Sequence, residues 1–250
     1  MDATIATIVS AQLVNQDVYH IRLRPHLPMA AVAGQYVEIC LDNGWCVPYS
    51  MANDPQPGGE LELYIQHFPE GRACDQVIRA LTGRKEVPIL VDGRVAYAPE
   101  WDKDPLILLS AGCGISQSRS IIEHRLAGTS AQPVYLCWGG RDDQELFELP
   151  QLQSWLNDRR FMADLTLESP LQGWGNARGY VVDVALQRLA WMTELERKRA
   201  RVVLTGSPAM VNASIARLVQ AGFCRDRLLA DQDYYSPRTL TPLTVEPVTA

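Results

Sequence analysis

No C-x-x-C pair occurs among the six cysteines (Cys40, Cys46, Cys74, Cys113, Cys137, Cys224), and none stands at metal-ligand spacing from the four histidines. That spacing predicts neither an iron–sulfur cluster nor structural zinc, and leaves most of the thiols to serve as small buried hydrophobes. A basic excess is missing too: 23 Lys and Arg stand against 29 Asp and Glu, a net charge of -6. This argues against a nucleic-acid partner, which needs a basic face to displace counterions. No apolar run approaches the roughly 18 residues of a membrane helix. The opening MDATIATIVSAQ lacks a basic start and a cleavage site, so no membrane association is expected and a cytoplasmic setting is the default.

What is present suffices for a substantial core: 250 residues, of which 47% are hydrophobic. Up to about residue 98 the chain reads as short strands. TIATIVSAQLV, VYHIRLRP, QYVEICLD, ELELYIQHF and EVPILVDG carry alternation or β-branched enrichment, and NDP and PQPGG supply turns. One helical stretch interrupts them, CDQVIRALTG, with Val77, Ile78 and Leu81 on one face. Strands so closely spaced leave no room for crossover helices, which predicts an antiparallel barrel or sandwich with one lid helix.

After Pro105 the rhythm changes. LILLS, PVYLCWGG, FMADLTLES and ARVVLTG read as buried strands, with helical stretches at SQSRSIIEHRLAG, LPQLQSWLND and PAMVNASIARLVQAG between or after them. Ser207 is placed to cap the last helix, with Pro208 at its first position and Gly222 past its end. Alternation of this kind predicts a parallel sheet covered on both faces, an architecture that binds nucleotides. The tail SPRTLTPLTVEPVTA, with three prolines and four threonines, reads as an extended strap or a disordered end. The expected organisation is therefore an antiparallel domain over 1–100, an α/β domain over 101–235 and a tail over 236–250.

Four turns carry the candidate chemistry. Gly112, Cys113 and Gly114 form a G-x-G turn between strand and helix, where free N–H groups can hold an anion. Gln117 stands where the dinucleotide fingerprint has its third glycine, and a plain tight turn fits these residues equally. WGGRDD places Gly139 and Arg141 after the next strand, and TGSPAM places Gly206 and Met210 after another. Three such turns at the carboxyl ends of one sheet favour a nucleotide crevice. In the first half, EGRACDQ sets Gly71, Arg72 and Ala73 at the start of the lid helix, as a phosphate seat or an ordinary cap. VPYSMAN offers Pro48, Tyr49, Ser50 and Met51 at a strand end, where Pro48 favours extended backbone. A half-buried strand with a core tyrosine is the plainer account of that stretch.

Taken in order, P-Y-S, Gly-Arg-Ala, G-x-G followed by S-x-x-R-S-I, W-G-G-R, G-W, G-x-x-x-M and D-R-L with closing aromatics resemble the ferredoxin-NADP⁺ reductase-like family, and within it the bacterial NAD(P)H:flavin oxidoreductases. The resemblance runs from about residue 5 to 235. It implies a six-stranded antiparallel flavin-binding barrel followed by a parallel-sheet NAD(P)-binding domain, and hydride transfer from NADH or NADPH to flavin N5. By position, Tyr49 resembles the residue against the isoalloxazine ring and Ser50 the hydroxyl near N5, the two catalytic candidates. Gly112, Cys113 and Gly114 resemble the nicotinamide turn, with Ser116 a further cofactor-binding residue, Arg141 resembles the residue meeting the adenosine half, and Tyr234 and Tyr235 the aromatics over the opposite flavin face. Pro48, Met51, Gly71, Arg72, Ala73, Gly139, Gly206 and Met210 complete the implied cofactor-binding set.

The departures are instructive. Family members carry arginine, paired with a flavin phosphate, where this chain has Val47. A charge-assisted bond of that kind is worth about 1.5–3 kcal/mol, so its loss favours an exchangeable flavin, whether riboflavin, FMN or FAD. TGSPAM lacks the family's cysteine, and ADQDYYSPR replaces its usual G-D-A-F ending. Three functions remain open on these residues. One is a flavin reductase serving a monooxygenase or another acceptor. A second is an electron-transfer subunit holding flavin and docking on a redox partner, and the third is a catalytically degenerate nucleotide- or partner-binding descendant. Arg141 suits the 2′-phosphate of NADPH while Asp142 and Asp143 oppose it, which leaves the nucleotide undecided.

Overall fold

A computed structural model describes residues 3–68, 73–170 and 172–233. Gly71, Arg72, Tyr234, Tyr235 and the 236–250 tail lie outside the described residues.

The first half folds as six antiparallel strands: β1 (Thr4–Leu13), β2 (Val18–Pro25), β3 (Tyr36–Cys40), β4 (Cys46–Ser50), β5 (Leu61–Gln66) and β6 (Glu86–Asp92), joined in the order β4-β3-β6-β1-β2-β5. An antiparallel bridge between Met51 and Leu63 brings the two edge strands together and closes the sheet into a barrel. Inward-facing Val37 and Ile39 on β3, Leu61, Leu63 and Ile65 on β5, and Val87, Ile89 and Val91 on β6 fill its core. Helix α1 (Ala73–Gly83) lies between β5 and β6 and buries Val77, Ile78 and Leu81 in that same core. Asp75 in its first turn accepts from the His67 ring at 3.0 Å and from Arg79 Nε at 2.9 Å.

The second half is a parallel sheet of β7 (Leu106–Ala111), β8 (Val134–Gly140), β9 (Phe161–Leu167), β10 (Ala177–Arg178), β11 (Arg201–Thr205) and β12 (Leu228–Leu229), in the order β10-β9-β8-β7-β11-β12. Helices α2 (Ile115–Ala127), α3 (Leu149–Trp155), α4 (Val181–Arg188), α5 (Glu194–Arg199) and α6 (Pro208–Gln220) connect these strands. All seven residues of β8 are buried, as expected of a strand covered on both faces. Helices α4 and α5 and the two-residue strands are the elements the sequence pattern did not announce. The six residues of α5, ELERKR, have no apolar face, and the helix begins on a capping box between Thr193 and Glu196. Ser207 caps α6 by accepting from Met210 N, and Gly222 past its end has φ +90°.

The chain runs outward from β7 to β10 in one direction and returns to place β11 on the other side of β7. This makes a topological switch point beside β7. The linker between the sheets is pinned by Arg125, which is 1% exposed. Its guanidinium donates to Trp101 O at 2.6 Å, to Ser130 Oγ at 2.9 Å and to the Tyr97 hydroxyl, so the buried charge is fully engaged.

Candidate active site

A cavity of about 1060 Å³ opens at the switch point and runs between the two sheets. It brings together motifs that lie far apart in sequence. Pro48, Tyr49 and Ser50 line it from the barrel, and Gly112, Cys113, Gly114 and Ser116, Gly139 and Arg141, and Gly206 and Met210 line it from the parallel sheet. Ser50 lies at the end of β4, opposite Tyr36 in register, and its hydroxyl makes no hydrogen bond to any described residue. The arrangement therefore leaves, among the described residues, an aromatic face and an uncommitted hydroxyl at the mouth of the barrel. Val47 packs with Tyr49 against the barrel core.

Two predicted residues lie elsewhere. Met51 is fully buried in the barrel core, where it forms the closing bridge, so its side chain supports the fold and does not face the cavity. Ala73 is half-buried at the first turn of α1, and it is its neighbour Cys74 that reaches the cavity.

The glycines do separate jobs. A Cβ on Gly114 would lie 2.7 Å from both the carbonyl carbon and oxygen of Thr205, so this position holds the turn against the end of β11. Gly112 has φ +53° and a Cβ there would meet only Glu145 Oε2, at 3.7 Å, so its conformation and not crowding calls for glycine. At Gly139 a Cβ would meet Val181 Cγ2 at 2.5 Å, so its bareness admits helix α4.

Charge enters the cavity sparingly. The two described arginines that line it are already paired: Arg141 Nε donates to Glu145 Oε1 at 2.5 Å, while Glu145 Oε2 accepts from Arg141 N at 3.0 Å, and Arg217 pairs with Asp183. Glu145, Glu168 and Asp231 add negative groups. Against this, α2, α4 and α6 open at the cavity through Gly114, Val181 and Ser207, and α1 does so through Cys74. Helix N-termini present N–H groups and positive dipole ends, which suit a nucleotide's phosphates where free cations are scarce. Burial pushes the Cys113 thiol up to about 12, so it stays protonated and is no nucleophile.

Gln117, in place of a third glycine, serves the contact between the two sheets. Its Nε2 donates to Gly34 O at 2.5 Å and to Asp231 Oδ2 at 2.5 Å. Asp231 also accepts from Val95 N at 3.2 Å, and burial raises its carboxyl to about 6. Sequence reasoning missed Asp231, Tyr64, Glu145, Glu168 and Arg217 as lining residues. Only Asp231 belonged to a motif already noticed, the ADQD ending.

Residues 108–215 match the model of the oxidoreductase NAD-binding domain. The chain is 28% identical over 172 residues to an NAD(P)H-flavin reductase of Aliivibrio fischeri, covering 67% of this chain and 73% of that protein. Over both of its parts the chain is similar to members of the ferredoxin-NADP⁺ reductase-like family. Across more of its length, 91%, it is 25% identical to the ferredoxin–NAD(P)⁺ reductase component of the naphthalene 1,2-dioxygenase system of Pseudomonas putida, 68% of which is covered. Its fold is that of an Amycolatopsis cytochrome P450 reductase, with a TM-score of 0.82 at 23% identity over 92% of this chain and 69% of that one. The family's two parts, a flavin barrel and a nicotinamide-nucleotide domain, correspond to the two sheets described above.

Proposed function

We propose that this protein is an NAD(P)H:flavin oxidoreductase that takes flavin as an exchangeable partner. The observation that carries the reading is the single crevice in which the P-Y-S strand end meets the G-C-G turn at the switch point of the parallel sheet. When bound there, nicotinamide and flavin supply the hydride donor and acceptor. In this reading Tyr49 lies against the flavin ring and fixes its plane, and Ser50 presents its hydroxyl to N5 and stabilises the protonated, reduced ring. Gly112 and Gly114 shape the turn that seats the nicotinamide, while the starts of α2 and α6 hold phosphate. The chain contributes positioning above all.

Flavin exchange follows from Val47 and from the absence of an unpaired arginine among the described lining residues. A flavin-accepting monooxygenase or other redox protein as partner, and a cytoplasmic setting, complete the proposal. No described helix is long and apolar enough to cross a membrane.

The test is oxidation of NADH and NADPH with and without added riboflavin, FMN and FAD, on protein whose as-purified visible spectrum has been recorded. Colourless protein that turns over only when flavin is added, with riboflavin at least as effective as FMN, is the expected result. Yellow protein that passes electrons only to a redox partner would instead support an electron-transfer subunit with stably bound flavin; the Pseudomonas putida relative is the reductase component of a dioxygenase system. Ser50→Ala is expected to lower turnover about ten- to a hundredfold, the worth of one hydrogen bond to a developing charge, with thermal stability unchanged.

A further inference from the structure

The S-x-x-R-S-I stretch that opens α2 faces the barrel as well as the crevice. Ser120 Oγ accepts from Gly34 N at 3.2 Å, and Glu123, one turn on from Arg119, accepts from Asp54 N at 3.0 Å. Immediately before Ser120 stands Arg119, whose side chain is 12% exposed. Its Nη1 donates to the Tyr64 hydroxyl at 2.6 Å and lies 3.5 Å from Glu148 Oε1. Its Nη2 is 3.2 Å from Glu62 Oε2, and its Nε donates to Glu123 at 2.9 Å. The Tyr64 hydroxyl donates in turn to Glu148. Three carboxylates thus converge on one guanidinium, from β5, from α2 and from the segment leading into α3.

The cluster has an address in the reaction centre. Tyr64 lines the cavity on β5, the strand bridged through Leu63 to Met51, directly after the P-Y-S end. On its other side the Tyr64 ring meets Phe147 at 4.9 Å, Phe147 meets Trp138 at 5.7 Å, and Trp138 Nε1 donates to Gly112 O at 3.1 Å. A continuous run of contacts therefore joins the flavin-side strand to the nicotinamide-side turn, with Arg119 tying its barrel end to α2.

We propose that Arg119, with Tyr64 and Glu148, is the device that holds the P-Y-S strand end in register with the G-C-G turn and so sets the distance over which hydride passes. The inference rests on the function proposed above. Arg119 does not line the crevice, so it is a positioning residue. Removing it leaves Glu62, Glu123 and Glu148 as like charges at a half-buried seam, which pushes the two sheets apart. Hydride transfer needs reacting atoms about 3–3.5 Å apart, and about 1 Å of misplacement can cost a hundredfold in rate.

The test uses the full chain with Arg119→Met, Arg119→Lys and Tyr64→Phe. Anaerobic single-turnover reduction of riboflavin by saturating NADH or NADPH gives the transfer rate, nucleotide deuterated at C4 gives the isotope effect, and titrations with riboflavin and oxidised nucleotide give the Kd values. Arg119→Met is expected to slow transfer about 10- to 100-fold with Kd values within about threefold of wild type, and to raise the isotope effect. Arg119→Lys should recover part of the rate, because it restores the charge without the fork. Tyr64→Phe keeps the ring packing and removes one hydroxyl, so its smaller loss in rate keeps the test decisive if Arg119→Met fails to fold. Transfer rates within about twofold of wild type in both Arg119→Met and Tyr64→Phe, or losses that follow Kd instead of rate, would overturn the inference. An active wild type with unaffected variants defeats this inference alone. A wild type that reduces no flavin defeats the proposed function and the inference with it.

Discussion

Gly114→Ala is the sharpest single perturbation of the site. A methyl group there would stand 2.7 Å from the carbonyl carbon and oxygen of Thr205 and 3.0 Å from its Cβ. The two nearest atoms are backbone at the end of β11, a strand locked to β7 across its full length from Arg201 to Thr205, so neither can swing away like a flexible side chain. Relief must come from moving the G-C-G turn and the start of α2. Overpacking of this kind costs about 1–3 kcal/mol, and for a chain of this size each kcal/mol lowers Tm by about 2–4 °C, so a drop of about 2–12 °C is expected. The same movement widens the crevice at the nicotinamide turn, so turnover should fall by more than the loss of folded protein explains. Gly112→Ala is the control. Its methyl would meet only Glu145 Oε2, at 3.7 Å, but at φ +53° it carries backbone strain of about 1 kcal/mol, and a smaller effect is expected. The assays are thermal melting and flavin-dependent nucleotide oxidation at a temperature where both variants are folded. Wild-type Tm and turnover in Gly114→Ala would refute the packing argument.

Two further predictions use other parts of the site. Val47→Arg restores a cation on the face shared with Tyr49, and it should tighten FMN binding about ten- to a hundredfold while leaving riboflavin unchanged. Equal changes for both flavins, measured by fluorescence titration, would show that position 47 meets no phosphate. Asp231→Asn tests the buried carboxyl. Burial raises its value from 3.8 to about 6, so the protonated form favours the fold. That contribution is full below about pH 3.8, is lost as pH rises through about 6, and amounts to on the order of 3 kcal/mol. The Tm of wild type should therefore fall relative to Asp231→Asn between pH 4 and pH 6, and parallel melting curves across that interval would contradict the assignment.

The sequence by itself determined the two-part architecture, because strand spacing and strand–helix alternation are local properties of the chain. Five closely spaced alternating segments leave no room for crossover helices. The Ser207-Pro208 start and the Gly222 end of α6 are written in residues that favour those positions intrinsically. The turn motifs were legible for the same reason: glycine at a strand end announces its own conformational freedom. Helix α5 was not, since its six residues, five of them charged, depend on a capping box and on their neighbours for their conformation.

Tertiary structure alone decided how the motifs combine. Arg141 reads as a free phosphate ligand in WGGRDD, but Glu145 folds back to engage both its backbone N–H and its guanidinium. Gln117 reads as a flaw in a dinucleotide fingerprint, yet it joins Gly34 of the barrel to Asp231 near the far end of the chain. Met51 sits beside the P-Y-S motif in sequence, but it alternates with Ser50 and shares the inward face of Val47 and Tyr49, so its side chain ends in the core. These outcomes depend on residues 83 and 114 positions apart meeting across a seam, as Gln117 does with Gly34 and Asp231. Periodicity and turn chemistry act over a few residues, and only the packing of one sheet against the other sets such contacts.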